Sequence, residues 1–178
     1  MNRWIKALIL IGFPALVFGS GLLLLNWLGR STLAGGEKPL YVRSGYNAED
    51  TKEYWDALDQ AGILSVESRL LKLDLFFPLL YGGALLISVL AAWMAMGRPP
   101  FWNFAVIPIW LAALADWTEN SLLLYLLQSY MNSTTAALNP DLVQIASTAT
   151  MLKFIFIAIS WVAFFILVGK FLRDGRRM

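Results

Sequence analysis

ALADWTENSLLL, residues 113–124, sets two carboxylates and an amide inside a run that is otherwise apolar enough to cross a bilayer. At 100° per residue Asp116, Glu119 and Asn120 fall on one face of a helix. A charge at the bilayer centre costs at least about 2.5 kcal/mol, so such a face is expected to turn toward other helices and away from acyl chains. DWTEN therefore reads as the polar interior of a helix bundle.

The rest of the chain fits that frame. Its 178 residues are 58% hydrophobic and 15% charged, with 8 Trp, and the mean hydropathy is +0.62. That balance belongs to a membrane protein. A hydrocarbon core roughly 30 Å thick takes about 20 helical residues per crossing, so the length allows four or five spans and no separate soluble catalytic domain. Apolar segments at about 7–28, 70–96, 104–129 and 145–169 are each long enough. The expected fold is all-α: one membrane domain over 1–178, an integral four-helix bundle whose loop at 30–69 carries an amphipathic surface helix.

The first segment, MNRWIKALILIGFPALVFG, has the basic start of a secretory signal, but its apolar run exceeds the usual length of one and is read as a retained helix. Pro14 should kink it, while Gly12 and Gly19 permit close packing. In the polar segment, Asn47 is placed to cap a helix with Glu49, Asp50 and Glu53 near its positive end and a stop near Gly62. Trp55 and Leu58 share a face of that helix, so it is expected to lie on the membrane surface. Ser65, followed by Glu67, reads as a second cap opening the long helix of span two. Asn139-Pro140-Asp141 reads as cap, first-turn proline and dipole-matched acid for span four.

Orientation follows the bases. Arg3, Lys6, Arg98, Lys170, Arg173, Arg176 and Arg177 share one side of a four-span arrangement, and the 130–144 loop has neither Lys nor Arg. Both termini are then cytoplasmic and the protein lies, multi-pass, in a bacterial inner membrane. Trp4, Trp27, Trp102 and Trp110 read as interface anchors or lipid-facing bulk. The NST at 132–134 matches a glycosylation acceptor that arises often by chance.

The chain has neither Cys nor His. That excludes thiolate chemistry, imidazole bases and the common haem and zinc sites, and no cofactor or metal is expected. A net charge of +2 gives no ground for a nucleic-acid partner. Chemistry is left to carboxylates, Lys, Tyr, Ser, Thr and Asn. In span two, Glu67, Asp74, Pro78 and Tyr81 fall in a narrow stripe, with Lys72 nearly opposite and free to snorkel. In span four, Thr150, Lys153 and Ser160 share a face with Ala146 and Ala149, small residues that let helices approach. Measured from the outer surface, Asp74 lies about 6 Å deep, Lys153 about 12 Å, Glu119 about 15 Å, Tyr81 about 16 Å and Asp116 about 20 Å. Three acids thus meet one base, so unless Arg69 folds inward or water reaches the site, at least one acid should be protonated or a cation bound. The candidate ligand-binding or polar-core residues are Asp74, Tyr81, Asp116, Glu119, Asn120, Thr150 and Lys153. A network that does no more than fix helix register is the competing account.

LDLFFPLLYG, ADWTEN and ASTATMLK together resemble a family of small bacterial four-span membrane proteins with no assigned reaction. The likeness runs from about residue 45 onward and rests on the combined D-x3-P-x2-Y, D-x2-E-N and T-x2-K pattern. It implies the four-span architecture and sets Asp74, Pro78, Tyr81, Asp116, Glu119, Asn120, Thr150 and Lys153 in one motif set. A fainter likeness is to the EXPERA group, which includes sterol isomerases and has an acid before a proline-aromatic stretch in span two. The isomerases' histidine is missing here, so that likeness implies only a buried-carboxylate pocket for an apolar ligand.

Three functions are compatible with these residues. The first is binding of a lipid or other apolar small molecule with proton transfer at the cluster, where Glu119 or Asp116 holds the proton, Lys153 balances charge, and Asn120 and Tyr81 orient the ligand. The second is a non-catalytic accessory or assembly subunit of a larger membrane complex that docks through the helix near 48–61. The third is proton- or cation-coupled transport.

Overall fold

Polar caps at Asn47 and Asn139 and the proline at Pro78 set several of the helix boundaries. The computed structural model describes residues 39–95, 103–132 and 137–174, together with Leu16 and Gly19. The first apolar segment with its kink at Pro14 and Gly12, Trp4, Trp27, Trp102, the Arg98 connection and the Arg176–Arg177 tail fall outside the described residues.

The described part is all-helical, with no strand among those residues. A 3-10 turn at Leu40–Val42 is followed by α1 (Ala48–Gln60), α2 (Leu64–Asp74), α3 (Phe77–Ala95), α4 (Asn103–Asn132) and α5 (Pro140–Asp174). Two stretches, Leu64–Ala91 and Pro140–Lys170, are long and apolar enough to cross a membrane. Helix α4 has 30 residues but carries DWTEN at its middle, which lowers its apolarity.

Asn47 caps α1 as its sequence implies. Its side chain accepts from the Asp50 amide at 2.9 Å while Asp50 accepts from the Asn47 amide at 3.0 Å, a reciprocal capping box. Gly62, at φ +70°, ends that helix in a conformation other residues seldom adopt. Asn139 likewise accepts from the amides of Asp141 and Leu142 at 3.0 and 3.3 Å, opening α5.

Three expectations need correction. Ser65 is not a cap: α2 begins at Leu64 after Ile63, with no side-chain cap, and Glu67 points inward and is buried. The apolar face of α1 does not rest on a membrane surface. Thr51, Tyr54, Trp55 and Leu58 are buried within the chain, packed with Leu71, Leu123, Leu127, Tyr130, Val143 and Ala146. Burying Trp55 among protein side chains satisfies the same area that lipid would have covered. Finally, span two is not one continuous helix. Pro78 has no N–H to give the Asp74 carbonyl and its ring crowds that carbonyl, so the helix breaks at Leu75–Phe76. The Leu79 amide turns to Phe76 O at 3.2 Å, which frees Leu75 O to accept from Trp117 Nε1 on α4 at 2.8 Å.

Helices α4 and α5 pack along most of their length, with α2 and α3 laid against α4. Two apolar cores result. One holds Tyr54, Trp55, Leu58, Leu71, Leu123, Leu127 and Val143; the other holds Tyr81, Leu85, Val89, Ile109, Phe164 and Leu167. The stretch between them is polar. At the first core's edge the Tyr130 hydroxyl donates to Asp56 at 2.5 Å, and Lys52 pairs with the same carboxylate at 2.6 Å.

Replacing Asn47 by Ala removes half of the capping box and should lower unfolding stability by about 1 kcal/mol, measured by thermal or denaturant unfolding in detergent. The bonds from Lys52 and then Tyr130 hold Asp56 below its ordinary 3.8. A depressed folded value means the stabilisation is complete above the unfolded value and is lost as pH falls through the folded one. The stability gap between the natural protein and Asp56→Asn should therefore close below about pH 4, which unfolding curves taken across that range would show.

Candidate functional site

The polar stretch between the cores gathers all seven sequence-selected residues. Asp74 ends α2, Tyr81 lies in the first turns of α3, Asp116, Glu119 and Asn120 lie one turn apart on α4, and Thr150 and Lys153 lie one turn apart on α5. All are buried, from 0% exposed at Glu119, Asn120 and Thr150 to 7% at Asp74. The small residues Ala146 and Ala149 share the inward face of α5, which lets the two long helices approach.

Lys153 is the centre. Its ammonium binds Asp116 Oδ1 at 3.2 Å and makes a short ion pair with Glu119 Oε2. Asn120 Nδ2 donates to the same Asp116 oxygen at 3.1 Å. Tyr81 faces Asp116, and Asp74 faces Asn120 while feeling the charges of Asp116, Lys153 and Glu119. Thr150 stands beside Glu119. Glu119 Oε1 and Asn120 Oδ1 are buried with no hydrogen-bond partner among the described residues. Three carboxyl groups, Asp74, Asp116 and Glu119, thus share one buried ammonium. Among the described residues no three acids are arranged to hold a metal ion.

Sequence reasoning missed two aromatic residues that roof the cluster. The Tyr46 amide donates to Ser147 Oγ at 2.9 Å and its hydroxyl meets Thr150 Oγ1 at 3.3 Å. Tyr41, half-buried on the 3-10 turn, lies among Glu67, Asp74 and Lys153. Their signal was only two tyrosines just ahead of a well-capped helix. Glu67 falls in the stripe of span two but outside the selected cluster; it is 1% exposed, and its Oε2 has no partner among the described residues.

No protein-family model, curated protein or solved structure matches this chain.

A cavity of about 190 Å³ lies between the end of α4 and the start of α5, lined by residues that include Tyr125, Ser129, Leu138 and Asn139. None of the seven cluster residues lines it. It is smaller than the usual small-molecule pocket of roughly 300–1,000 Å³. The cluster gathers three carboxyl groups, one ammonium, an amide and two hydroxyls, all buried.

Removing one member of a buried ion pair leaves the other charge uncompensated, which typically costs about 3–5 kcal/mol. Lys153→Met should therefore destabilise the protein strongly. Adding Asp116→Asn and Glu119→Gln to Lys153→Met should recover much of that loss, a reversal visible as a higher Tm for the triple variant than for the single one.

Proposed function

We propose that this is a multi-pass membrane protein that binds a lipid or other apolar small molecule and holds an exchangeable proton at the Asp74–Asp116–Glu119–Lys153 cluster. The observation that carries the reading is the sidedness of α4. Its exposed face bears Phe104, Ile107, Trp110, Leu111 and Leu114, with Phe104 78% exposed, while its buried face bears Asp116, Glu119 and Asn120. In water that arrangement is the wrong way round. In a bilayer it removes charge from lipid and gives acyl chains an apolar surface. The exposed Leu79, Leu80 and Ile87 of α3 and Phe165 and Ile166 of α5 continue that surface.

The topology that accords with this is four spans at 7–28, 70–96, 104–129 and 145–169, with both termini on the cytoplasmic side of a bacterial inner membrane, as in the small four-span family that the chain resembles. In that frame α1 and the Tyr41–Tyr46 segment cover the outer end. With three carboxyls against one ammonium, at least one carboxyl carries a proton, since two uncompensated buried charges are too costly. A protonated Asp74 would donate to the unpaired Asn120 Oδ1, which gives that orphan its partner. Glu119 or Asp116 exchanges the proton with a bound molecule, Lys153 balances charge, and Asn120 and Tyr81 orient the ligand. The break at Leu75–Phe76, beside Asp74, is where α2 and α3 can part to admit it. Docking of an accessory subunit through α1 is less well supported, because the apolar face of that helix is already covered by its own chain.

Native mass spectrometry of protein extracted in mild detergent tests this. An apolar molecule should remain bound to the natural protein at near-stoichiometric level and be lost from a folded Glu119→Gln variant. Retention unchanged in that variant, or an empty natural protein, would overturn the ligand reading.

A further inference from the structure

The buried side of α2 carries Leu64, Glu67, Leu70, Leu71 and Asp74. At about 100° per residue the opposite side carries Arg69, Lys72, Leu73 and, just past the helix end, Phe76. All four of these are exposed. Arg69 does not fold inward to the buried acids, and neither it nor Lys72 is ion-paired among the described residues. The acids of α2 face the interior, α3 bears no charge from Phe77 to Ala95, and α4 holds only the buried Asp116 and Glu119. Among the described residues from Leu64 to Asn132, the exposed charges are therefore Arg69 and Lys72, and both are positive.

Their spacing suits a single anion. Residues three apart on a helix have Cβ atoms about 5–6 Å apart, so the guanidinium and the ammonium, each on a long arm, reach one phosphate together, the guanidinium through two parallel bonds. In the topology proposed above, Lys72 lies about 3 Å and Arg69 about 7.5 Å nearer outside water than Asp74, which sets both at headgroup level. Toward the bilayer centre the same face turns apolar at once: Leu73, Phe76, Leu79 and Leu80 are each more than half exposed, with Phe76 at 65%. Cations above hydrocarbon complement an anionic amphiphile. Basic residues collect on the cytoplasmic side of membrane proteins, so orientation gives no reason for a pair on the outer side. A zwitterionic headgroup would bring its own cation to a face that has no acid to receive it, and an anionic one would not.

We propose that Arg69 and Lys72 form a headgroup site for an anionic phospholipid, with the phosphodiester between the two side chains and the acyl chains along Leu73, Phe76, Leu79 and Leu80. The inference rests on the membrane reading above and not on the proton cluster. The site borders the break at Leu75–Phe76, where Trp117 Nε1 already donates to Leu75 O at 2.8 Å. The headgroup is thus held by the two cations, and the lipid stands beside the place where α2 and α3 can part.

Native mass spectrometry of the full-length protein, delipidated in mild detergent and titrated with phosphatidylglycerol or with phosphatidylcholine of the same acyl chains, tests the site. Phosphatidylglycerol should bind the natural protein about twentyfold more tightly, the effect of two basic residues at an anionic lipid surface. Arg69→Gln or Lys72→Gln alone should cut the preference to about fivefold, and the double variant should abolish it. Lys72→Arg, which keeps the charge, should keep the preference, and Phe76→Ser should weaken both lipids alike. Equal affinity of the natural protein for the two lipids overturns the site, as does a preference that survives in the double variant. Displacement of phosphatidylglycerol by millimolar inorganic phosphate would make the pair a soluble-anion site and overturns the lipid assignment. A natural protein that takes up neither lipid also overturns the site, and if it stays monodisperse without detergent the membrane reading falls with it.

Discussion

An ammonium group buried among helices must be met by carboxylates at the right depth, and the rest of this fold is arranged around that requirement for Lys153. The two ion pairs to Asp116 and Glu119 tie α5 to α4 in one register. Sliding either helix by one residue would turn a carboxylate or the ammonium away from its partner. Such pairs contribute little net stability because desolvation offsets attraction, and their value lies in excluding other alignments. Stability comes instead from the two apolar cores on either side of the polar layer. Burial in turn strengthens each interaction within the layer.

Pro78 adds the third wall. By breaking the helix at Leu75–Phe76 it lets α2 and α3 follow α4 in two separate segments, and the Leu75 carbonyl left free at the break is held by Trp117. Trp117 belongs to the same DWTEN run that supplies Asp116 and Glu119, so one short stretch of α4 both builds the cluster and anchors the helix break beside it. Asp74, immediately before the break, is thereby fixed at the edge of the cluster.

Local chemistry was legible in the sequence and long-range chemistry was not. The caps at Asn47 and Asn139, the stop at Gly62 and the inward stripe of α5 depend on residues within a turn or two of each other, and the observed structure has them. The wrong cap at Ser65 came from the same local reading: a serine and a following glutamate fit a capping pattern, but Glu67 is drawn inward with the buried face of α2. The covered face of α1 was legible as apolar, yet nothing local distinguishes a face that rests on lipid from one that rests on α4 and α5. Tyr46 reaches Ser147 across 101 residues of sequence, and no periodicity connects them. Of the candidate cluster, the members sharing helix faces could be listed; the aromatic roof over it could not.

The two tethers that hold the Tyr46 segment on α5 are both neutral hydrogen bonds, unlike the Lys52–Asp56 ion pair on the neighbouring helix. Ionic strength screens exposed charges within about 10 Å at 0.1 M but leaves a buried amide–hydroxyl contact nearly untouched. The hold of the Tyr46 segment on α5 is thus one that brine and fresh water leave alike.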